Sequence, residues 1–285
     1  MVHHAAKTVF AFYYAAVWPE IWEGFDAEFK SVLANGESIR SHDSLLPMQR
    51  FGYIEECYFD YTLSPIIAPD GTIGGVFNAV IETTYRVINE RRNEVLHSLL
   101  HLHTVQSFAE GVETGMEILE TAKEDIPFCL LYTAPDDNIE EVTVAATAGL
   151  PTDDAKSSSW PLEQAFQGGK PVHVKDLSAC LKNPVVSCWP EACTEALIVP
   201  LSIGETKTKG CLVTGISPRK KLNQEYRHFI DSVAINISIA ISKGYNHVQE
   251  QKSKRRIVES ENRFRSMMNQ APVNGYRKTG IQANG

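Results

Sequence analysis

The 285-residue chain is long enough for two domains of ordinary size, each able to bury its own core. Its 43% hydrophobic and 22% charged content is that of a globular protein, and a formal charge of −8 argues against a nucleic-acid partner, whose phosphates need a basic surface. Six cysteines without a CxxC pair offer no zinc or thioredoxin-like motif and fit reduced thiols in the cytoplasm, while the longest apolar run, Val9 to Trp18, is too short to cross a bilayer and carries no cleavage-site pattern.

In chain order, the first clear element begins at Cys57. Cys57, Phe59, Tyr61 and Leu63 alternate with Asp60, Thr62 and Ser64, the period-two signature of a strand with one wet face. Pro69-Asp70-Gly71 supplies a turn: proline presets φ, aspartate bonds its own backbone and glycine accepts positive φ. The return strand "TIGGVFNAVIE" is expected to place Ile73, Phe77, Ala79 and Ile81 on the apolar side against Gly74, Asn78 and Glu82, and its paired glycines suggest a bulge or a close backbone approach. At Thr83 or Thr84, either a plausible cap, the period changes to about 3.5. Ile81, Tyr85, Ile88, Val95, Leu99, Leu102 and Gln106 fall at alternating four- and three-residue steps, with Arg92 interrupting the seam. That pattern belongs to an exposed two-stranded seam or to a helix laid on a neighbouring domain.

A helix is expected from about Glu90 to Lys123, then strand "PFCLLYTA", polar loop "PDDNIEE", strand "VTVAATAGL", helix "PLEQAFQGG" and short strand "PVHV". After an irregular stretch comes a hairpin, "EALIVPLSIGETKTKGCLVTGIS", with a polar turn near Gly204 to Lys209, and then a long helix from Leu222. That helix carries Phe229, Ile230, Val233, Ile235, Ile237, Ile239 and Ile241, so one face must meet the sheet and another must be covered by the first helix or by a second chain. Antiparallel strands with flanking helices make an α+β class fold.

"HDSLLPMQRFGYIEECYFDYTLSPIIAPDGTIGGVFNAVIETTYRVINERR" resembles the second half of a PAS domain at the front of a multi-domain sensor histidine kinase, and "WPEIW" at Trp18 to Trp22 resembles an upstream helical piece of such domains. "WPEACTEALIVPLSIGETKTKGCLVTGIS" resembles the closing hairpin of a GAF domain. The resemblances imply two antiparallel-sheet sensor domains joined and followed by long signalling helices: a partial PAS domain over 1–82, a connecting helix over 83–107, a GAF domain over 96–248 including its first and last helices, and over 249–285 a linker helix and the truncated start of a second PAS domain. In the last stretch Val248, Ile257, Phe264 and Met268 continue a helical stripe, and "ENRFRSMMNQAPV" resembles a PAS opening before the polar "NGYRKTGIQANG"; the chain reads as cut at both ends.

The implied function is a sensory PAS–GAF module of two-component signalling, without catalysis of its own, that binds a small ligand or relays a signal through helices to a kinase core in a longer parent protein. Its partners would be itself, as a parallel homodimer through helices, and a small molecule in the GAF domain; the resemblance names no cofactor. The signalling helix would act through Tyr85, Ile88, Arg92, Val95 and Leu99. GAF domains commonly build the ligand-pocket wall from the stretch before the closing hairpin, which here holds Cys188, Trp189 and Cys193; Phe128 and Trp160 complete the candidate ligand set, and the tryptophans equally well close a core. Cys188 and Cys193, with Cys180 upstream, are either small buried hydrophobes or the thiols of an enzyme resembling the GAF-type methionine sulfoxide reductases, and a ligand-free dimerising scaffold is the remaining alternative. No cysteine is followed by histidine, as a bilin-binding GAF domain tends to have, and no glycine-rich ATP box occurs. His42-Asp43 offers a histidine–acid pair, yet between Gly36 and Pro47 no long phosphoacceptor helix fits. His97, His101 and His103 lack a nearby carboxylate or cysteine and read as solvated helix-face residues rather than a metal site.

Overall fold

The structure is a computed structural model, and it describes residues 19–134, 141–202 and 209–270. The polar loop 135–140, the hairpin turn 203–208, the apolar run before Pro19 and the segment after Gln270 lie outside the described residues.

Helix α1 (Pro19–Asn35) opens with proline in its first turn, where the missing amide hydrogen costs nothing. Strand β1 (Ile39–Leu45), the small hairpin β2 (Met48–Arg50) and β3 (Tyr53–Glu55), and the long hairpin β4 (Tyr58–Ile67) and β5 (Ile73–Glu82) follow. The main N-terminal sheet is antiparallel with order β1-β4-β5. Phe59, Tyr61 and Leu63 of β4 are buried under Phe25 and Val32 of α1, with the Phe25 and Tyr61 ring centroids 4.8 Å apart. The turn is built as expected: Gly71 has φ 80° and the Asp70 carboxylate accepts from the Thr72 amide at 3.0 Å. A bulge sits at the glycine pair, where Ile66 opposes Gly75 and Ile67 opposes Ile73.

The phase of β5 is the reverse of the expected one. Register pairs Leu63 with Asn78 and Tyr61 with Val80, and residues paired across an antiparallel ladder share a face. Asn78 and Val80 therefore lie on the α1 side, while Phe77 and Ile81 point outward, 60% and 69% exposed. Apolar residues stand at both parities of β5, so alternation alone could not choose between them.

Helix α2 (Thr84–Leu100) leaves β5 with a single intervening residue. Thr83 holds the cap position but donates its hydroxyl to Asp43 at 2.7 Å, and Asp43 also pairs with Arg86, so β1 anchors the start of the helix. Thr84, Ile88, Arg92, Val95 and Leu99 form the buried stripe, and Tyr85 lies off it, 69% exposed. The stripe faces the C-terminal domain, as expected of a helix laid on a neighbour. The helix does not run on to Lys123. It tightens to a 3-10 turn at His101–Thr104, and α3 (Phe108–Glu120) starts afresh with Ser107 capping the Glu110 amide at 3.1 Å.

Strands β6 (Cys129–Ala134), β7 (Thr143–Ala148), β8 (Val172–Val174), β9 (Ala196–Ser202) and β10 (Lys209–Gly215) make a sheet of order β7-β6-β10-β9-β8, antiparallel throughout. Helix α4 (Thr152–Ser157), absent from the sequence reading, and α5 (Leu162–Gly168) cover one face; α2, α3 and α6 (Gln224–Gln270) cover the other. On α6, Phe229, Ile230, Val233, Ile237 and Ile241 are buried, whereas Ile235 and Ile239 are 59% and 38% exposed. Its 47 residues extend about 70 Å, and Ile257 and Phe264 in its second half are exposed. Among the described residues no helix is long and apolar enough to cross a membrane.

Candidate functional site

The five candidate ligand residues divide into two groups. Phe128, 1% exposed, and Cys193 belong to the core between the sheet and α4/α5, and Trp160 packs on it with its ring centroid 6.0 Å from that of Phe128. The Trp160 indole donates to the Ser158 hydroxyl at 2.9 Å, which also meets the Tyr132 hydroxyl at 3.0 Å. Cys193 donates to the carbonyls of Glu195 and Ile216 at 3.2 and 3.1 Å. A Cβ on Gly215 would stand 2.6 Å from the Phe128 ring, so glycine is needed for this face to close.

Cys188 and Trp189 lie elsewhere, against the loop that follows α3. The Trp189 indole donates to the Glu124 carbonyl at 3.1 Å, the Arg219 guanidinium stacks 4.6 Å over its ring, and the exposed Cys188 contacts the Lys123 carbonyl at 3.5 Å. Burial pushes the Cys193 and Cys211 thiols up to about 12 and also raises Cys129, Cys180 and Cys188. A thiolate nucleophile needs the opposite shift, and cationic neighbours to produce it.

The densest polar cluster ties the N-terminal sheet to the C-terminal domain. Glu56, 0% exposed, occupies the link between β3 and β4; Arg91 of α2 donates to it at 2.7 Å and to Asp125 at 2.8 Å. Arg92 donates to the other oxygen of Asp125 at 2.8 Å and stacks over the rings of Tyr226 (4.3 Å) and Phe229 (5.2 Å) at the start of α6. The Tyr226 hydroxyl donates to the Asp125 carbonyl and accepts from the Ser217 amide at 2.9 Å. The Glu56 amide donates to the Arg219 carbonyl at 3.1 Å, Arg219 is held by Glu191 at 2.8 Å, and Lys220 meets Glu55 at 3.3 Å. Burial alone would lower the Arg91 guanidinium, but its bonds to Glu56 and the Asp125 charge carry it above its ordinary value.

Arg92, an interruption by apolar pattern, is thus part of the buried stripe, together with Ile88, Val95 and Leu99 and without Tyr85. Sequence reasoning missed Glu56, Arg91, Asp125, Arg219 and Tyr226. The local signal was Arg92 standing where the apolar pattern was due; Arg91 and Arg92 meet their acids 33 to 35 residues away, Arg219 meets Glu191 across 28 residues and Tyr226 meets Asp125 across 101. His42 and Asp43 lie on β1, with Asp43 at φ 47° and the His42 ring 3.3 Å from Asp60. The His97 and His101 rings meet edge-on at 5.0 Å, and the His103 side chain is outside the described residues.

Residues 112–242 match the family model described as GAF domain. No curated protein matches the chain. Among solved structures, the GAF domain of an Acinetobacter phosphoenolpyruvate-protein phosphotransferase is 14% identical with TM-score 0.40, covering 56% of this chain and 95% of that one. Its counterpart from Coxiella burnetii is 16% identical with TM-score 0.42, covering 57% and 98%. A free methionine-R-sulfoxide reductase from Neisseria meningitidis is 16% identical with TM-score 0.40, covering 54% and 90%. The domain onto which α2 docks, residues 112–242, is a GAF domain.

Proposed function

We propose that the chain is a PAS–GAF sensory module of two-component signalling, which couples the N-terminal sheet to α6 and through it to a histidine kinase core in a longer parent protein. The observation that carries this reading is the continuous path from β5 into α2 and, through Arg92, onto Asp125 and the Tyr226 and Phe229 rings at the root of α6. A displacement of the sheet cannot leave α2 without changing the buried ion pairs, and those pairs grip the first turns of the outgoing helix. Packed groups of this kind switch between discrete arrangements rather than deforming smoothly. Ile235 and Ile239, one turn apart and exposed, support a parallel homodimer along α6, where a second copy of the helix would cover them.

The test joins a histidine kinase core after α6, in fusions differing by one residue in length. Autophosphorylation should depend on helix phase and should change several-fold when Arg92 is replaced by methionine. A rate indifferent to both sinks the relay. Ile235→Glu together with Ile239→Glu should leave the fusion monomeric in sedimentation; a persisting dimer would place the interface elsewhere.

A further inference from the structure

A cleft of about 500 Å³ opens where the β2–β3 hairpin meets the edge of the GAF domain. Its lip is Phe51, 86% exposed, at φ 53° beside Gly52 at φ 89°, the two-residue turn of the hairpin. Tyr53 and Leu222 continue the apolar wall. The opposite wall is cationic. His173 is matched by Glu195 at 2.6 Å and Lys220 by Glu55 at 3.3 Å, but among the described residues Lys175 and Lys221 pair with no acid. Ser217 lines the floor, 3% exposed, and its hydroxyl makes no hydrogen bond among the described residues.

We infer that this interdomain cleft binds a small planar anion, an aromatic ring bearing a carboxylate or phosphate. The volume is that of a small-molecule site, and junctions between domains are where such sites recur. Lys175 and Lys221 supply two positive charges with no acid partner among the described residues, and Phe51 and Tyr53 supply faces on which a ring can stack. The floor segment 216–222 holds Arg219 and Lys220, which fasten the N-terminal sheet through Glu56 and Glu55, and it leads directly into α6. A bound anion therefore bridges the two domains at their joint. The site stands whether or not α6 relays a signal.

Calorimetric titration of the full chain tests the assignment with benzoate, adenosine 5′-monophosphate, inorganic phosphate and benzylamine. Saturable binding of benzoate or of the nucleotide is expected, whichever of the two binds tighter naming the source, with no binding of benzylamine. Lys175→Ala combined with Lys221→Ala should weaken it at least about tenfold, since even one charge-assisted contact is worth about that factor. Both lysines are exposed, and an unchanged melting temperature would verify that the double variant folds. Phe51→Ala should weaken the aromatic probes several-fold and leave phosphate unaffected. Absence of saturation by either aromatic anion up to about 10 mM, equal affinity in the lysine variant, or benzylamine binding as well as benzoate each overturns the inference.

Discussion

Replacing Asp125 with alanine leaves two arginines facing a gap. The Asp125 side chain is 2% exposed and takes both guanidinium groups, Arg91 Nε at 2.8 Å and Arg92 Nη2 at 2.7 Å. Arg91 keeps Glu56, so its charge stays matched; Arg92, 8% exposed, does not. Removing one member of a buried pair costs about 3–5 kcal/mol because the other charge is stranded out of water. Here the Tyr226 and Phe229 rings retain about 1–2 kcal/mol of cation–π attraction for Arg92, which brings the expected loss to about 3 kcal/mol. Equilibrium urea unfolding followed by tryptophan fluorescence reads it, since Trp189 is bonded to the carbonyl of the adjacent Glu124. Arg92→Met in the same background removes the stranded charge, so the double variant should be no less stable than Asp125→Ala alone. A loss below about 1 kcal/mol, or strictly additive single losses, would refute the account of the joint as one coupled cluster.

Two further outcomes follow from packing and from the thiols. A Cβ on Gly244 would lie 2.6 Å from the Phe108 nitrogen and closer still to the Ser107 carbonyl, all backbone, so Gly244→Ala should cost about 1–3 kcal/mol by prising α6 from α3; Gly24→Ala, with nothing within 4 Å, should instead stabilise by about 0.5–1 kcal/mol, and thermal melting compares them. Cys57, Cys193 and Cys211 are pushed up to about 11, 12 and 12 by burial, so the folded state holds protons that the unfolded chain releases near pH 8.5. Their contribution to stability is whole below about pH 8.5 and is lost as pH rises through 11 to 12; the urea midpoint should fall over that range, less steeply in Cys193→Ala, and a flat profile would contradict the burial of these thiols.

How much could be read beforehand depended on whether a residue's partner lay nearby in the chain. The β4 phase was legible because Phe59, Tyr61 and Leu63 alternate with polar residues; the β5 phase was not, because Val76, Phe77, Val80 and Ile81 are apolar at both parities and only register across the Asp70-Gly71 turn chooses. The break between α2 and α3 carries no glycine or proline to mark it, and the Ser107–Glu110 capping pair was its clearest local sign. Of the candidate wall, Phe128, Trp160 and Cys193 do share one core, while the exposed Cys188 and the buried Trp189 pack instead against the loop after α3, since the irregular stretch carrying them has no period to fix its direction.

The sequence by itself determined the presence of strands β4 to β10, the Asp70-Gly71 turn and the apolar stripe through Ile88, Val95 and Leu99, because each depends on neighbours within a few residues. Strands β1 to β3, which lack a run of alternating apolar residues, showed only in the fold. Tertiary structure alone decided that Arg92 is an interior residue. A charge enters the interior only where a partner waits, and Asp125 comes within reach only once α2 lies on the GAF domain.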